Sequence, residues 1–251
     1  MSFEGKEILL TGGAGGLGAL IAAELLAEGA RVTVIDRALP DRCSDYWRHD
    51  LSTLDGLDAA AAAVAQRRWD VLINLAGVLH FGPVERQSGA QTISGYMVNL
   101  IAPVRLAQAA LPLMKAAGAG HIVNVGSVFG SINFAHFATY SSAKAGLRGF
   151  SQALRRELAG GGIDVTYVAP RAVRTALNTP TVLEFARLTG MVMDPPDRIA
   201  AKIVTAIRQR KAEAYLGFPE SAFVRLNALL PGVVDRALFA NDRKAARLFA
   251  T

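Results

Sequence analysis

The chain has 251 residues, 51% of them hydrophobic and 24 of them glycine, which is enough to bury one sizeable core in a single domain. Its net charge of +6 comes from dispersed lysines and arginines, with no arginine-rich block interleaved with aromatics of the kind that tracks nucleic acid. The lone cysteine, Cys43, excludes an intrachain disulfide and a thiolate metal site. The four histidines lack ligand spacing, no signal-like leader opens the chain, and no run of 18 apolar residues lacks a charge or breaker. The expectation is therefore a cytoplasmic, metal-free protein without a spanning helix.

In chain order, KEILLT (6–11) is a short apolar strand that breaks into TGGAGGLG, after which Leu17, Leu20, Ile21 and Leu25 recur at helical spacing up to Gly29. Strand, glycine turn and helix together offer a backbone that approaches a pyrophosphate and a helix N-terminus to receive it. Three glycine registers fit the dinucleotide pattern: Gly13/Gly15/Gly18, Gly12/Gly15/Gly18 and Gly12/Gly16/Gly18. The chain returns as RVTVID, ending in Asp36, where a carboxylate accepts hydrogen bonds from adenosine ribose hydroxyls and repels a 2′-phosphate. That favours NAD over NADP, with Arg37 beside it as the group that would pair with the phosphate instead.

A third strand is predicted around 46–49, with Asp50 at its end within reach of an adenine, and an alanine-rich helix over 53–66. The buried strand VLIN leads into Ala76 and Gly77, small residues that leave room for a ribose. A long helix follows over 94–117, with Asn99 inside it and a kink expected at Pro103. The strand 122–125 delivers Ser127 at its carboxyl end, where open parallel sheets bind ligands. A helix carries Tyr140 and Lys144 on to Leu158, and IDVTYVA is a further strand leading into PRAVRT. Residues 178–194 read equally as a mobile lid over a hydrophobic substrate and as a packed surface helix. A helix over 197–210 and a strand over 213–216 complete the alternation, which implies a doubly wound parallel α/β sheet with right-handed crossovers.

Tyr140 and Lys144 are four residues apart, so one helix face carries both. A neighbouring ammonium favours phenolate, making tyrosine a usable acid or base, and a Ser127 hydroxyl would bind the oxygen on which charge develops during carbonyl reduction.

Taken together these residues resemble the compact, single-domain branch of the short-chain dehydrogenase/reductase family, over roughly residues 4–216. TGGAGGLG resembles the family's T-G-x-x-x-G-x-G turn, with Gly12, Gly16 and Gly18 as the matching glycines; Asp36, Asp50 and the Asn74-Leu75-Ala76-Gly77 segment fall in step with it. The resemblance implies a catalytic set of Asn99, Ser127, Tyr140 and Lys144. It implies cofactor contacts from Thr11, Gly12, Gly16, Leu17, Gly18, Asp36, Arg37, Asp50, Leu51, Asn74, Ala76, Gly77, Tyr140, Lys144, Pro170, Val173 and Thr175. The implied reaction is hydride transfer between NAD(H) and a fairly hydrophobic secondary alcohol or ketone. In it Tyr140 moves the proton, Lys144 lowers the tyrosine's pKa, Ser127 orients the substrate oxygen and Asn99 positions a water. A non-catalytic dinucleotide-binding sensor and a membrane-peripheral reductase of lipid or acyl-carrier-linked ketones are the alternatives.

Three positions depart from the family pattern. Leu75 replaces a second asparagine, with an effect expected on stability only. Gly126 replaces a serine and is expected to make room near the substrate. Arg171 replaces the glycine of P-G-x-V-x-T, either pointing outward or recognising an anionic substrate group. The apolar residues Phe129, Ile132, Phe134, His136 and Phe137 are expected to form the near wall of the substrate pocket. The tail over 221–251 reads as a basic, amphipathic helical extension that closes the pocket or packs on a neighbouring subunit, with a membrane surface as the other partner. Apolar residues on more than one face of the helices at 94–117 and 138–158 suggest a homodimer or homotetramer.

Overall fold

Alternation along β1 (Glu7–Thr11) assigns the two faces of the sheet: Ile8 and Leu10 enter one core and Leu9 the other. The computed structural model describes residues 1–250 and extends this pattern into a seven-stranded parallel sheet of order β3-β2-β1-β4-β5-β6-β7. The strands are β2 (Arg31–Asp36), β3 (Asp45–Arg48), β4 (Val71–Asn74), β5 (Gly120–Val125), β6 (Ile163–Pro170) and β7 (Glu213–Leu216). On the first face α1 (Gly16–Ala27) and α7 (Pro196–Arg208) pack Ile21, Leu25, Ile199 and Ile203 onto Val32, Val34 and Val123. On the second, α2 (Leu54–Ala65), α4 (Ala102–Ala116) and α5 (Ala138–Glu157) cover Leu9, Leu72 and Ile122. Strands covered on both faces are near-continuously apolar, which is why β4 and β5 are buried throughout.

The long helix begins earlier than its apolar periodicity suggests. α3 (Gly89–Tyr96) starts at a capping box in which Ser88 and Gln91 satisfy each other's backbone N–H groups. It runs without a break into a π-helical segment, Met97–Ile101, and then α4. The expected kink at Pro103 is absent as such. Pro103 lies in the first turn of α4, directly after the π segment around Asn99, and the irregularity in the helix is that π segment, where the hydrogen-bond ladder shifts ahead of a residue that has no N–H to give. Because the pieces join, Gly89–Ala116 is long and apolar enough to cross a membrane by length and composition, contrary to the expectation from unbroken runs. Half of its apolar window is buried inside the protein, as befits a core helix.

Residues 178–194 contain a packed helix, and its Val182, with Met191 and Met193 just beyond it, also lines the cleft at the carboxyl ends of the strands. α6 (Pro180–Thr189) is capped by the Thr179 side chain, ends on the left-handed Gly190, and buries Val182 and Phe185. The tail forms α8 (Glu220–Leu229) and α9 (Pro231–Arg247). Val224, Val234 and Ala245 enter a third cluster with Phe129, Phe137 and Phe185, so the tail packs over the end of the molecule that holds Ser127 and Tyr140. The Phe249 ring meets Phe81 edge-on, with centroids 5.1 Å apart, and lies tilted against His136 at 4.9 Å.

Candidate active site

A cleft of about 660 Å³ runs along the carboxyl ends of β1, β2, β4, β5 and β6, from Asp36 and Asp50 at one end to Phe129 and Met193 at the other. Its floor is the turn between β1 and α1, where the structure selects one glycine register. Gly12 and Gly16 adopt φ of +77° and +53°, and a Cβ on Gly12 would lie 2.8 Å from the Ala76 backbone. A Cβ on Gly18 would collide with the Gly12 carbonyl, whereas one on Gly15 meets nothing. A Cβ on Gly13 would likewise lie 2.7 Å from Val34, so the open position is Gly15, which both alternative registers require, and Gly12, Gly16 and Gly18 form the register in which every glycine is needed. Gly15 caps α1 without a side chain, and Gly15, Gly16 and Leu17 line the cleft, so the bare helix N-terminus faces it. A cradle that side chains would fill, open to the cleft and free of an internal cap, fits a dinucleotide pyrophosphate.

At the far end of that cradle the Asp36 carboxylate accepts from the backbone N–H groups of Ala14 (3.0 Å), Arg37 (2.6 Å) and Ala38 (3.2 Å). Asp50 accepts from the Ser52 hydroxyl and N–H, which hold its carboxyl below the usual carboxylate range. The Arg37 guanidinium lies 4.0 Å from Asp50, beside the cleft. Leu51, Ala76, Gly77, Pro170, Val173 and Thr175 line the cleft as the resemblance implies. Two expected contacts do not. Thr11 is buried and its hydroxyl accepts from the N–H groups of Leu75 and Ala76, bracing the turn that faces Gly12. Asn74 points along the sheet to Asn124, at 2.8 Å, and Asn124 passes the chain on to Ser151 in α5. The Asn74 amide N–H groups thus find their partners inside the protein while its oxygen is buried without one, and Asn74 supports the cleft from behind.

Ser127, Tyr140 and Lys144 open on the same cleft. The Ser127 side chain accepts from the Phe129 N–H at 3.1 Å, capping the short helix Val128–Gly130 and leaving its own proton to donate. Lys144 is buried, its Nζ donates to the Val125 carbonyl at 3.0 Å, and it lies 5.8 Å from the centre of the Tyr140 ring. Burial governs both titrations. It pushes the Tyr140 phenol up to about 12, against a smaller downward pull from Ser127, and draws Lys144 down to about 8. In the cofactor-free protein, then, desolvation outweighs the expected lowering of the tyrosine by Lys144. Asn99 is fully buried in the π segment and does not line the cleft. Its amide donates to the carbonyls of Val78 (2.8 Å) and Gly95 (2.9 Å) while its oxygen accepts from the Val78 N–H (3.3 Å). It clamps the 77–78 turn against α3.

Two readings of single residues are corrected. The room beside Gly126 is not substrate space: a Cβ there would collide with the Tyr167 phenol, which occupies it. Tyr167 is the residue that sequence reasoning missed, and the signal was the one aromatic, with a polar head, in the buried strand IDVTYVAP. Arg171 neither points outward nor waits for a substrate anion. It is held in a fork by Asp194 (2.8 and 2.7 Å), with Glu220 at 3.1 Å and the Phe218 carbonyl at 2.9 Å. Of the expected near wall, Phe129 and Phe137 line the cleft, joined by Leu79, Val182, Met191 and Met193. Ile132, Phe134 and His136 pack behind them.

A family model described as short chain dehydrogenase matches residues 6–184, which includes the whole cradle and the Ser127–Tyr140–Lys144 set. The chain belongs to the short-chain dehydrogenase family. Among relatives of this dehydrogenase, the ketoacyl reductase HetN of Nostoc sp. is 32% identical over 225 residues, covering 83% of this chain and 77% of its own. The 3-oxoacyl-[acyl-carrier-protein] reductase FabG of Salmonella typhimurium is 31% identical over 240 residues, covering 89% and 94%. A short-chain dehydrogenase from Streptomyces avermitilis superposes with a TM-score of 0.77 at 29% identity, over 96% of this chain and 98% of that one.

Proposed function

We propose that this dehydrogenase interconverts a ketone and a secondary alcohol on an apolar substrate, using NAD(H), with Tyr140 as the general acid/base. One observation carries the reading: the Ser127, Tyr140 and Lys144 side chains share a continuous cleft with the glycine cradle at one end and the Phe129, Phe137 and Met193 wall at the other. The cofactor, when bound, supplies or accepts the hydride. Gly12, Gly16, Leu17 and Gly18 would hold its pyrophosphate, Asp36 its adenosine ribose and Thr175 its carboxamide. NAD is favoured because the Asp36 carboxylate stands at the ribose end while Arg37 is drawn toward Asp50.

The chain's own groups account for the proton. With its pKa near 12, Tyr140 holds its proton at neutral pH and donates it to the oxygen of a bound ketone. Ser127 donates a second hydrogen bond to that oxygen as charge develops there. Lys144, still mostly protonated at neutral pH, supports the phenolate left behind. The apolar wall excludes water and selects an apolar carbon chain. The two relatives named as ketoacyl reductases favour the reductive direction and an acyl-chain ketone. Exposed Ile93 and Ile101 support a homo-oligomer, and the single Cys43 suits a cytoplasmic setting. Replacement Tyr140→Phe should lower turnover of a ketone by about 10²- to 10⁴-fold while leaving NADH affinity intact. Unchanged turnover would sink the role of Tyr140, and a parent that binds NADH but turns over no ketone would leave the sensor reading.

A further inference from the structure

The helices α8 and α9 are apolar on two faces. One face, through Val224, Val234 and Ala245, is buried in the cluster that holds Phe129 and Phe137, the aromatic wall of the cleft's substrate end. The other is open: Phe223 is 42% exposed, Leu229 79%, Leu230 53%, Val233 49% and Phe239 61%, with Leu229 to Val233 flanking the junction of the two helices at Leu230. An amphipathic pair needs only its inner face to be apolar, so this outer face calls for a partner of its own. Five exposed cations border it: Arg225, Arg236, Arg243, Lys244 and Arg247. The Arg243 guanidinium lies 6.0 Å from the centre of the Phe239 ring. Asp235 is the one exposed acid from Ser221 to Ala250, since Asp242 is half-buried toward Ala135 and His136.

We infer that the outer face of α8 and α9 docks on an anionic lipid bilayer, with the apolar junction at Leu229–Val233 and the Phe239 ring entering the interface and the surrounding cations meeting lipid headgroups. The charge pattern selects this occupant. A two-fold contact between copies of this chain places the same patch against itself, and Arg236, Arg243 and Lys244 would then face like charges. A bilayer carrying acidic lipids meets both needs of the surface, taking the apolar side chains at acyl depth and the cations at headgroup depth. Docking there also sets the aromatic wall of the substrate end, against which the inner faces of the same helices pack, on the membrane side of the molecule.

The test uses the full-length protein and sedimentation with phosphatidylcholine vesicles, with and without phosphatidylglycerol. Binding is expected to the acidic vesicles, to weaken as salt is raised, and to fall about ten-fold or more in Arg236→Glu/Arg243→Glu and in Leu229→Ser/Phe239→Ser. Because all four side chains are exposed, circular dichroism and melting should match the parent. A Phe239→Trp variant gives a readout independent of lost binding: its emission should be quenched by brominated lipids in acidic vesicles. The inference is overturned if the parent stays in the supernatant with acidic vesicles, if neither double variant weakens binding, or if the tryptophan is not quenched. It is equally overturned if Leu229→Ser/Phe239→Ser splits a dimer in ultracentrifugation while the parent ignores vesicles.

Discussion

The Tyr167 phenol donates to the Ser127 carbonyl at 3.3 Å and accepts from the Ser127 N–H at 3.4 Å, filling the space that Gly126 leaves open. A tyrosine on β6 thus braces the backbone of the serine that faces the substrate. Its phenol is fully buried, and burial pushes it above the ordinary tyrosine range, so it stays protonated and acts as a brace only.

Loss of that brace should be visible in turnover. Tyr167→Phe removes a hydrogen bond worth about 1 kcal/mol and should lower kcat several-fold with cofactor affinity unchanged. Gly126→Ser should destabilise the protein by about 1–3 kcal/mol, because the new side chain competes with the phenol for one space. The double change Gly126→Ser/Tyr167→Val should recover much of that loss. A thermal-unfolding double-mutant cycle measures the coupling, and strict additivity would show that the two residues do not share the space.

The Arg171 fork should be a stability element. Arg171→Gly leaves Asp194 and Glu220 without their shared cation, and a cost of about 3 kcal/mol is expected in chemical denaturation. The hydrogen bonds from Arg171 hold the Asp194 carboxyl below its usual range. A depressed folded pKa contributes stability in full above the unfolded carboxylate value and loses it as pH falls through the folded one. The gap in melting temperature between parent and variant should therefore shrink as pH drops below about 4. A gap that stays constant down to pH 2 would contradict this account.

Lys144 and Tyr140 should leave opposite marks on the alkaline side. Burial lowers Lys144 to about 8, so between there and the ordinary lysine value the unfolded chain binds more protons and stability rises with pH. Burial raises Tyr140 to about 12, so above the ordinary tyrosine value the folded chain holds the extra proton and stability falls with pH. Cofactor-free protein should gain stability from pH 8 to about 10 and lose it beyond. In Lys144→Met the rise should vanish, even though the Val125 carbonyl loses its donor. Melting curves across that range decide it.

Asp36 should govern cofactor choice. NADH should bind at least about ten-fold more tightly than NADPH, by titration of cofactor fluorescence. Asp36→Ser should narrow or invert that ratio by removing the carboxylate and freeing Arg37 to meet a 2′-phosphate. Because Asp36 also accepts from Ala14, Arg37 and Ala38, some affinity for NADH should be lost as well. An unchanged ratio would move the discrimination to another residue.

Much of the candidate site was legible in the sequence because it rests on local rules. A strand breaking into glycines, a helix after it and a Tyr/Lys pair at i,i+4 follow from short-range periodicity and steric demand. The π segment at Asn99 was hidden because one extra residue per turn leaves the apolar pattern almost unchanged. Asn74 and Thr11 were read as cofactor contacts because their chain positions are right. Their side chains turn inward because a buried polar group takes the nearest partner, and only packing supplies Asn124 or the Leu75 and Ala76 amides.

By itself, then, the sequence determined the order of strands and helices, the glycine cradle and the types of side chain at the chemical centre, all set by neighbours a few residues apart. Tertiary structure decided the glycine register, Tyr167 in the place beside Gly126, the Arg171 fork and the two-faced tail. Each of these depends on partners far along the chain, 40 residues away for Tyr167 and Ser127 and 23 for Arg171 and Asp194. Local pattern carries no information about which distant atom will fill a given space, and close packing of the folded chain settles it.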